Sequence, residues 1–249
     1  MVKSAFPDHF SSKATSYQLF RPGYPTELFA YLASLVNAEA RALDCATGSG
    51  QAAIKLAEYF PSVIGADGSQ SQLSNADAHP HVNYIVCTAE KIPLSNHSLD
   101  LVTVAQALHW FDQSKFYAEV QRILKPGGYL AVWSYGLMKI TPEIDALIGH
   151  LYANILGPYW PFERKQVEEG YQHIDFPFAE VSVPAFAMTA EWSLTHLLGY
   201  LSTWSALQRY IKTQQDPLTE IGPQLAQCWG EHGARRTVNW PLSVRVGKV

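Results

Sequence analysis

Charge is scarce in this sequence. Of 249 residues, 18 are Lys or Arg and 22 are Asp or Glu, only 16% together, for a net charge of −4. The basic residues are scattered, so no positive stripe exists to follow a phosphate backbone or an anionic membrane, and we expect neither nucleic acid nor membrane as a partner. Cysteine is scarce too. Cys45, Cys87 and Cys228 are odd in number and widely spaced, which argues against a disulfide scaffold and a metal knuckle and leaves small apolar residues in a reducing cytosol. No apolar run approaches the ~20 residues that span a bilayer. The opening MVKSAFPDHF lacks the continuous apolar core of a signal peptide. These absences predict a cytoplasmic chain that binds no metal and acts on a small molecule. They say nothing of its oligomeric state.

What is present is apolar substance: 47% of the residues are hydrophobic, enough for a sizeable core. Through the first half, short apolar runs alternate with helical ones. The spacing predicts a helix over residues 26–36, with Thr26 as its N-cap. Strands follow in RALDCA, SVIGAD, VNYIVC, LDLVTVAQ and GYLAVWSY, with helices in QAAIKLAEYF, SQSQLSNADA and FYAEVQRIL. Strands joined in this way by helices imply right-handed crossovers and a parallel α/β sheet. After residue 136 the rhythm changes. Residues 137–176 read as helical and rich in aromatics, FAEVSVPAFAM as a strand kinked at its proline, and LTHLLGYLSTWSALQRYIK as one long amphipathic helix. A helix to Trp229 and a last strand in TVNWPLSVRVGKV close the chain. No repeat or flexible linker divides it, so residues 1–249 are expected to form one domain: a cover (1–36), a cofactor-binding half (37–136), and a lid-bearing substrate half with the last two strands (137–249).

The stretch RALDCATGSGQAA, from Arg41 to Ala53, sets two glycines between a strand and a helix. Such a sheet binds ligands beyond the carboxyl ends of its strands, and glycines there admit close approach of a ligand to the backbone. Asp67, 17 residues past Gly50 at the end of the second strand, suits the hydroxyls of a ribose. NAD and S-adenosylmethionine fit these features equally. Asp44, four residues before Gly48, favours the second, because a carboxylate repels pyrophosphate and attracts an ammonium or sulfonium.

In order along the chain stand D-x-x-x-G-x-G, GADGS, CTAEKIP, LDLVTVAQALHWFD and LKPGGYLAVW, with YQLFRPGYP before them and LLGYLSTWSALQRY after. Together they resemble the class I S-adenosylmethionine-dependent methyltransferases, most nearly the small-molecule group that includes the trans-aconitate methyltransferases. The resemblance implies a three-layer, Rossmann-like sheet of seven strands whose last runs antiparallel, with a helical lid. It places Asp44, Ala46, Gly48 and Gly50 around the methionine moiety, and Asp67 on the ribose with Gly68 and Ser69 beside it. Thr88, Ala89 and Glu90 would meet the adenine, and Gln106 would lie near the sulfonium. Relatives often carry glycine at the position of Ala46, whose methyl is tolerated if φ is negative, and aspartate at that of Thr88.

Methyl transfer is an in-line displacement that needs alignment and exclusion of water. A hydroxyl or amine acceptor also needs a base, whereas a carboxylate needs a positive clamp. His109 in QALHWFD is the candidate catalytic residue, as a base or as a hydrogen-bond donor to an acceptor carboxylate. Tyr17 and Arg21 are expected over the open end of the sheet, beside the cofactor. Trp110, Tyr135, Tyr159, Trp160, Trp204, Arg209 and Tyr210 are candidates for the acceptor side, with Arg209-Tyr210 as a candidate clamp and core as the default reading of Trp204, and Arg235-Arg236 reads as a solvated pair. A small-molecule methyltransferase acting on a carboxylate is therefore expected. The alternatives are a nicotinamide-dependent oxidoreductase, against which Asp44 argues, and a non-catalytic S-adenosylmethionine-binding module.

Overall fold

The structure, a computed structural model, describes residues 22–231 and 233–249; Tyr17 and Arg21 lie outside them. Helix α1 (Thr26–Ser34) precedes β1 (Arg41–Cys45), α2 (Gln51–Leu56), β2 (Ser62–Asp67), α3 (Gln70–Leu73), β3 (Val82–Val86) and β4 (Leu99–Ala105). Then come α4 (Gln113–Ile123) and β5 (Leu124–Tyr135). Most strands of the first half are short and mostly apolar, and β1, β2 and β4 are largely buried, as parallel strands covered on both faces require. Strands β3-β2-β1-β4-β5 lie side by side and all parallel. The order reverses at β1, which sits between β2 and β4, so the loop after β1 opens at the switch point where such sheets bind ligands.

The second half contains α5 (Pro142–His150), α6 (Arg164–Glu168), β6 (Ala179–Glu180), β7 (Phe186–Ser193), α7 (Leu194–Ser202), α8 (Ser205–Tyr210), α9 (Leu218–Trp229) and β8 (Arg235–Lys248). Strand β8 runs antiparallel to β5, with Tyr129 opposite Lys248 and Tyr135 opposite Leu242. The mostly parallel, Rossmann-like sheet with an antiparallel last strand is thus as expected. The outer edge beyond β8 is split: β6 pairs with the end of β8, and β7 pairs Phe186–Ser193 with Arg235–Leu242. Pro184 falls between the two pieces, where a missing N–H does least harm.

Other details depart from expectation. Helix α1 has Pro25 as its N-cap and no side-chain cap; Thr26 is its first helical residue, because the fixed φ of Pro25 already sets the entry. No helix joins β3 to β4 among the described residues. The single long helix expected from Leu194 onward is two, α7 and α8, broken at Thr203 and Trp204 with Trp204 as N-cap of the second. The Thr203 hydroxyl turns back to donate to the Tyr200 carbonyl at 2.6 Å, which ends the first helix locally.

Two cores cover the faces of the sheet. Phe116, Val120 and Ile123 of α4 pack on one face with Val102, Val104 and Val132. Leu28, Phe29 and Leu32 of α1 and Leu56 of α2 pack on the other with Leu101 and Trp133. A third core lies elsewhere. Since Tyr135 is opposite Leu242, residues 235–241 of β8 run on past the carboxyl end of β5, paired with β7 on one side and bridged to Lys139 at Asn239 on the other. The inward side of this two-stranded ribbon, Met188, Trp192, Val238 and Trp240, buries itself against α5, α7, α8 and α9. The helical lid is therefore built on a ribbon that projects from the ligand end of the sheet.

Candidate active site

The loop after β1 is tied down by the two carboxylates that flank it. Asp44 is fully buried; Thr47 Oγ1 donates to its Oδ2 at 2.6 Å and Thr103 Oγ1 of β4 to its Oδ1 at 2.8 Å. Burial pushes its carboxyl up to about 6, against the pull of the two hydroxyls. Asp67 Oδ2 accepts the Gly48 amide and its Oδ1 the Ser69 amide, both at 2.8 Å. The carboxylate at the end of β2 thus ties the β1 loop to the turn opening α3. Gly48 and Gly50 have φ of +58° and +85°, which glycine adopts without strain. A Cβ on Gly48 would meet nothing within 4 Å, so space stands over the loop, whereas one on Gly50 would fall 2.2 Å from the Tyr84 hydroxyl. Gly50 is required by the packing of β3 as much as by any ligand. Ala46 is the departure: its φ is +56°, not the negative value expected of an alanine, so the loop bears left-handed strain there.

On the neighbouring side, Thr88 is exposed and closes a tight turn with Lys91, whose amide donates to the Thr88 carbonyl at 3.2 Å. Ala89 is buried, and Glu90 accepts the Asp112 amide at 3.1 Å. The segment is anchored from α4. Arg122 donates to the carbonyls of Ile92 and Leu94 at 2.8 and 2.7 Å and pairs with Glu119, which accepts the Ile92 amide at 2.6 Å.

At the end of β4, Gln106 has φ of +57°. Its side-chain amide clasps the Tyr135 backbone, donating to the carbonyl at 3.0 Å and accepting the amide at 2.8 Å. Gln106 thereby continues the β4–β5 ladder with its side chain. His109 follows in a short 3-10 turn, Leu108–Trp110, and is buried. Its Nδ1 lies 2.9 Å from the Tyr171 hydroxyl, and its ring leans on Trp110 at 4.7 Å. Burial, with the nearby Arg164 guanidinium, pushes the imidazole down to about 3, so it is neutral at physiological pH. Burial pushes the Tyr171 phenol up, opposed by the amides of His109 and Leu108. Tyr171 has φ of +61° after Gly170 at +60°, and Arg245 of β8 holds it there by donating to the carbonyls of Tyr171 and Ile174 at 2.8 and 2.9 Å.

The lid brings its aromatics together. Trp160 meets Tyr152 at 4.7 Å and Trp204 at 5.6 Å, and Tyr159 meets Tyr210 at 5.0 Å. Arg209 donates to the Tyr159 carbonyl at 3.0 Å. Trp204 is buried among them, so packing accounts for it. Tyr135 belongs to the same core, and Tyr24 places its ring between Tyr135 and Trp133 at 6.5 and 5.5 Å. Arg236 does not belong to a solvated pair: it donates to the Trp229 carbonyl at 2.9 and 3.0 Å and caps α9. Among the described residues no three His, Cys, Asp or Glu side chains are grouped to hold a metal, and no helix is long and apolar enough to cross a membrane.

A methyltransferase-domain family profile matches residues 43–132, the span from β1 to β5. A Dictyostelium discoideum protein named as a methyltransferase is 40% identical over 229 residues, covering 90% of this chain and 87% of that one. The chain belongs to the class I S-adenosylmethionine-dependent methyltransferases. A solved structure described as a type II methyltransferase from Anaeromyxobacter dehalogenans superposes on this methyltransferase with a TM-score of 0.87 at 42% identity, over 92% of this chain and 98% of the other. An uncharacterized methyltransferase of Mycobacterium tuberculosis is 39% identical over 127 residues, 50% of this chain and 51% of its own. Membership implies S-adenosylmethionine as methyl donor. The donor set fits it: carboxylates at the ends of β1 and β2, with open backbone at Gly48 between them, suit an ammonium and ribose hydroxyls and would repel phosphate.

The sequence singled out Asp44, Gly48, Asp67, Gln106 and His109, and the fold gathers them at one end of the sheet. It did not single out Tyr171, Arg245 or Arg164, which reach the same end from 62 residues or more beyond His109 in two cases and 55 in the third. The one local signal was Gly170, a helix-stopping glycine in EEGYQ.

Proposed function

We propose that this methyltransferase moves a methyl group from S-adenosylmethionine to a carboxylate oxygen of a small organic acid, in keeping with the trans-aconitate group it resembles. The state of His109 carries the reading. An imidazole held near 3 by burial is a poor proton acceptor at neutral pH, and a hydroxyl or amine acceptor would need one. A carboxylate is already ionised. The bound donor supplies a methyl on a sulfonium; the O–C bond forms as the C–S bond breaks, the electron pair stays on sulfur, and no proton is released. On this reading His109 positions. In that role the Tyr171 hydroxyl, 2.9 Å away, donates to Nδ1, which leaves the ring proton on Nε2 as a donor for the acceptor.

For the donor, the same reading gives Asp67 the ribose hydroxyls, with Gly68 and Ser69 beside them, and Ala89 N–H a ring nitrogen of adenine between Thr88 and Glu90. Asp44, Ala46, Gly48 and Gly50 surround the methionine end, and Gln106 fixes the strand end facing the sulfonium. Trp110, Tyr135, Tyr159, Trp160 and Tyr210 wall the acceptor.

Two measurements test this. S-adenosylhomocysteine is expected to raise the melting temperature and NADH to leave it unchanged; the reverse result rejects the donor. A labelled-methyl screen over small carboxylic acids, phenols and amines is expected to label acids, at a rate flat between pH 6 and 8. Labelling confined to phenols or amines rejects the acceptor.

A further inference from the structure

We propose that Arg164 is the residue that clamps the acceptor's carboxylate, an inference that rests on the acceptor reading above. Arg164 opens α6, which packs against the 3-10 turn carrying His109 and against β5. Its guanidinium lies over the Trp160 ring at 5.1 Å and the Tyr152 ring at 5.7 Å. Its Nε donates to the Tyr152 hydroxyl at 2.9 Å, and that hydroxyl donates in turn to Glu168. The phenol therefore stands between the arginine and Glu168.

Three other arginines have their guanidinium groups engaged on the protein. Arg122 and Arg245 grip carboxylates and carbonyls, and Arg236 caps a helix. Arg164 engages only Nε among the described residues, which leaves the paired Nη groups, the edge that meets a carboxylate in bidentate fashion. Two aromatic faces and one phenol hold the guanidinium plane before any ligand arrives, so little ordering remains to be done on binding. Its charge reaches the acceptor side, because the His109 ring is held neutral partly by it. A cation fixed beside a neutral imidazole donor recognises an anion and has no use for a neutral amine or phenol.

The test is calorimetric titration of succinate, fumarate, citrate and benzoate, each against its methyl ester, into wild type, Arg164→Gln and Arg164→Lys, with and without S-adenosylhomocysteine. At least one acid is expected to bind wild type, its ester at least tenfold more weakly. Arg164→Gln is expected to bind that acid at least tenfold more weakly, and Arg164→Lys to fall between, while all three proteins bind S-adenosylhomocysteine alike. Equal binding of the acid by Arg164→Gln overturns the clamp, as does an ester that binds as well as its acid, or a wild type that binds none of the acids. Failure of wild type to bind S-adenosylhomocysteine would sink the donor reading alone, since the titrations without it still decide the clamp.

Discussion

Three non-glycine residues near the site, Ala46, Gln106 and Tyr171, have left-handed backbones, and hydrogen bonds hold the last two in place. Ala46 is the one whose strain can be removed at the loss of a single methyl, which packs against the core. Ala46→Gly is expected to stabilise the fold by up to about 1 kcal/mol, read as a rise of roughly 2–4 °C in Tm; a fall in Tm would show that the strain is illusory. His109 gives a pH signature. Its folded pKa lies below its unfolded value, so the unfolded chain takes up the proton first. Stability is then full above about 6.5 and is lost as pH falls towards 3, by about 2 kcal/mol at pH 5. Denaturant titrations of His109→Gln should show that acid loss diminished. Asp44 works in the opposite sense, because its folded pKa is raised to about 6: stability is full below about 4 and declines as pH rises through 6. Asp44→Asn is therefore expected to gain stability at pH 7.5 relative to pH 4.5 when each is compared with wild type. These carboxylates were legible because short motifs carry them. Their partners Thr47 and Thr103 were not, since a hydroxyl that solvates a buried carboxylate leaves no pattern in the chain.

At the scale of elements, the segment from Thr88 to His97 has no regular structure and depends on one helix for its shape. Arg122 and Glu119 of α4 receive or supply hydrogen bonds at Ile92 and Leu94. Arg122→Ala is expected to cost roughly 1.5–3 kcal/mol, the range for hydrogen bonds to charged groups. It should also weaken S-adenosylhomocysteine through the loosened segment, and unchanged affinity would mean that the segment holds its shape unaided. The strands of the first half were readable because parallel strands are short and apolar, and the glycine loop because its backbone demands glycine. Periodicity misled where it crossed a break. Leu194, Leu197, Leu198, Leu201, Trp204 and Leu207 share one helical spacing, yet the chain turns at Thr203 with the apolar side still facing the same core.

For the whole molecule, β8 is the common member: the sheet and the ribbon under the lid are both sections of this one strand. We therefore propose one cooperative unit, and expect heating to give a single transition by near-ultraviolet and far-ultraviolet circular dichroism alike. Two separated transitions would divide the chain. The sequence could indicate that late strands complete the sheet. It could not indicate that seven residues of the last would overshoot, since overshoot is a matter of register, and register is decided by which strand lies opposite.

That overshoot makes acceptor size a matter of length. Lengthening β7 and β8 by two residues each would carry the lid about 7 Å further from the sheet. Every side chain would keep its face, whereas one residue each would turn the lid's core outward. Room over the carboxyl ends of the strands can thus be enlarged in steps of residue pairs while the carboxylates and the glycine loop stay as they are.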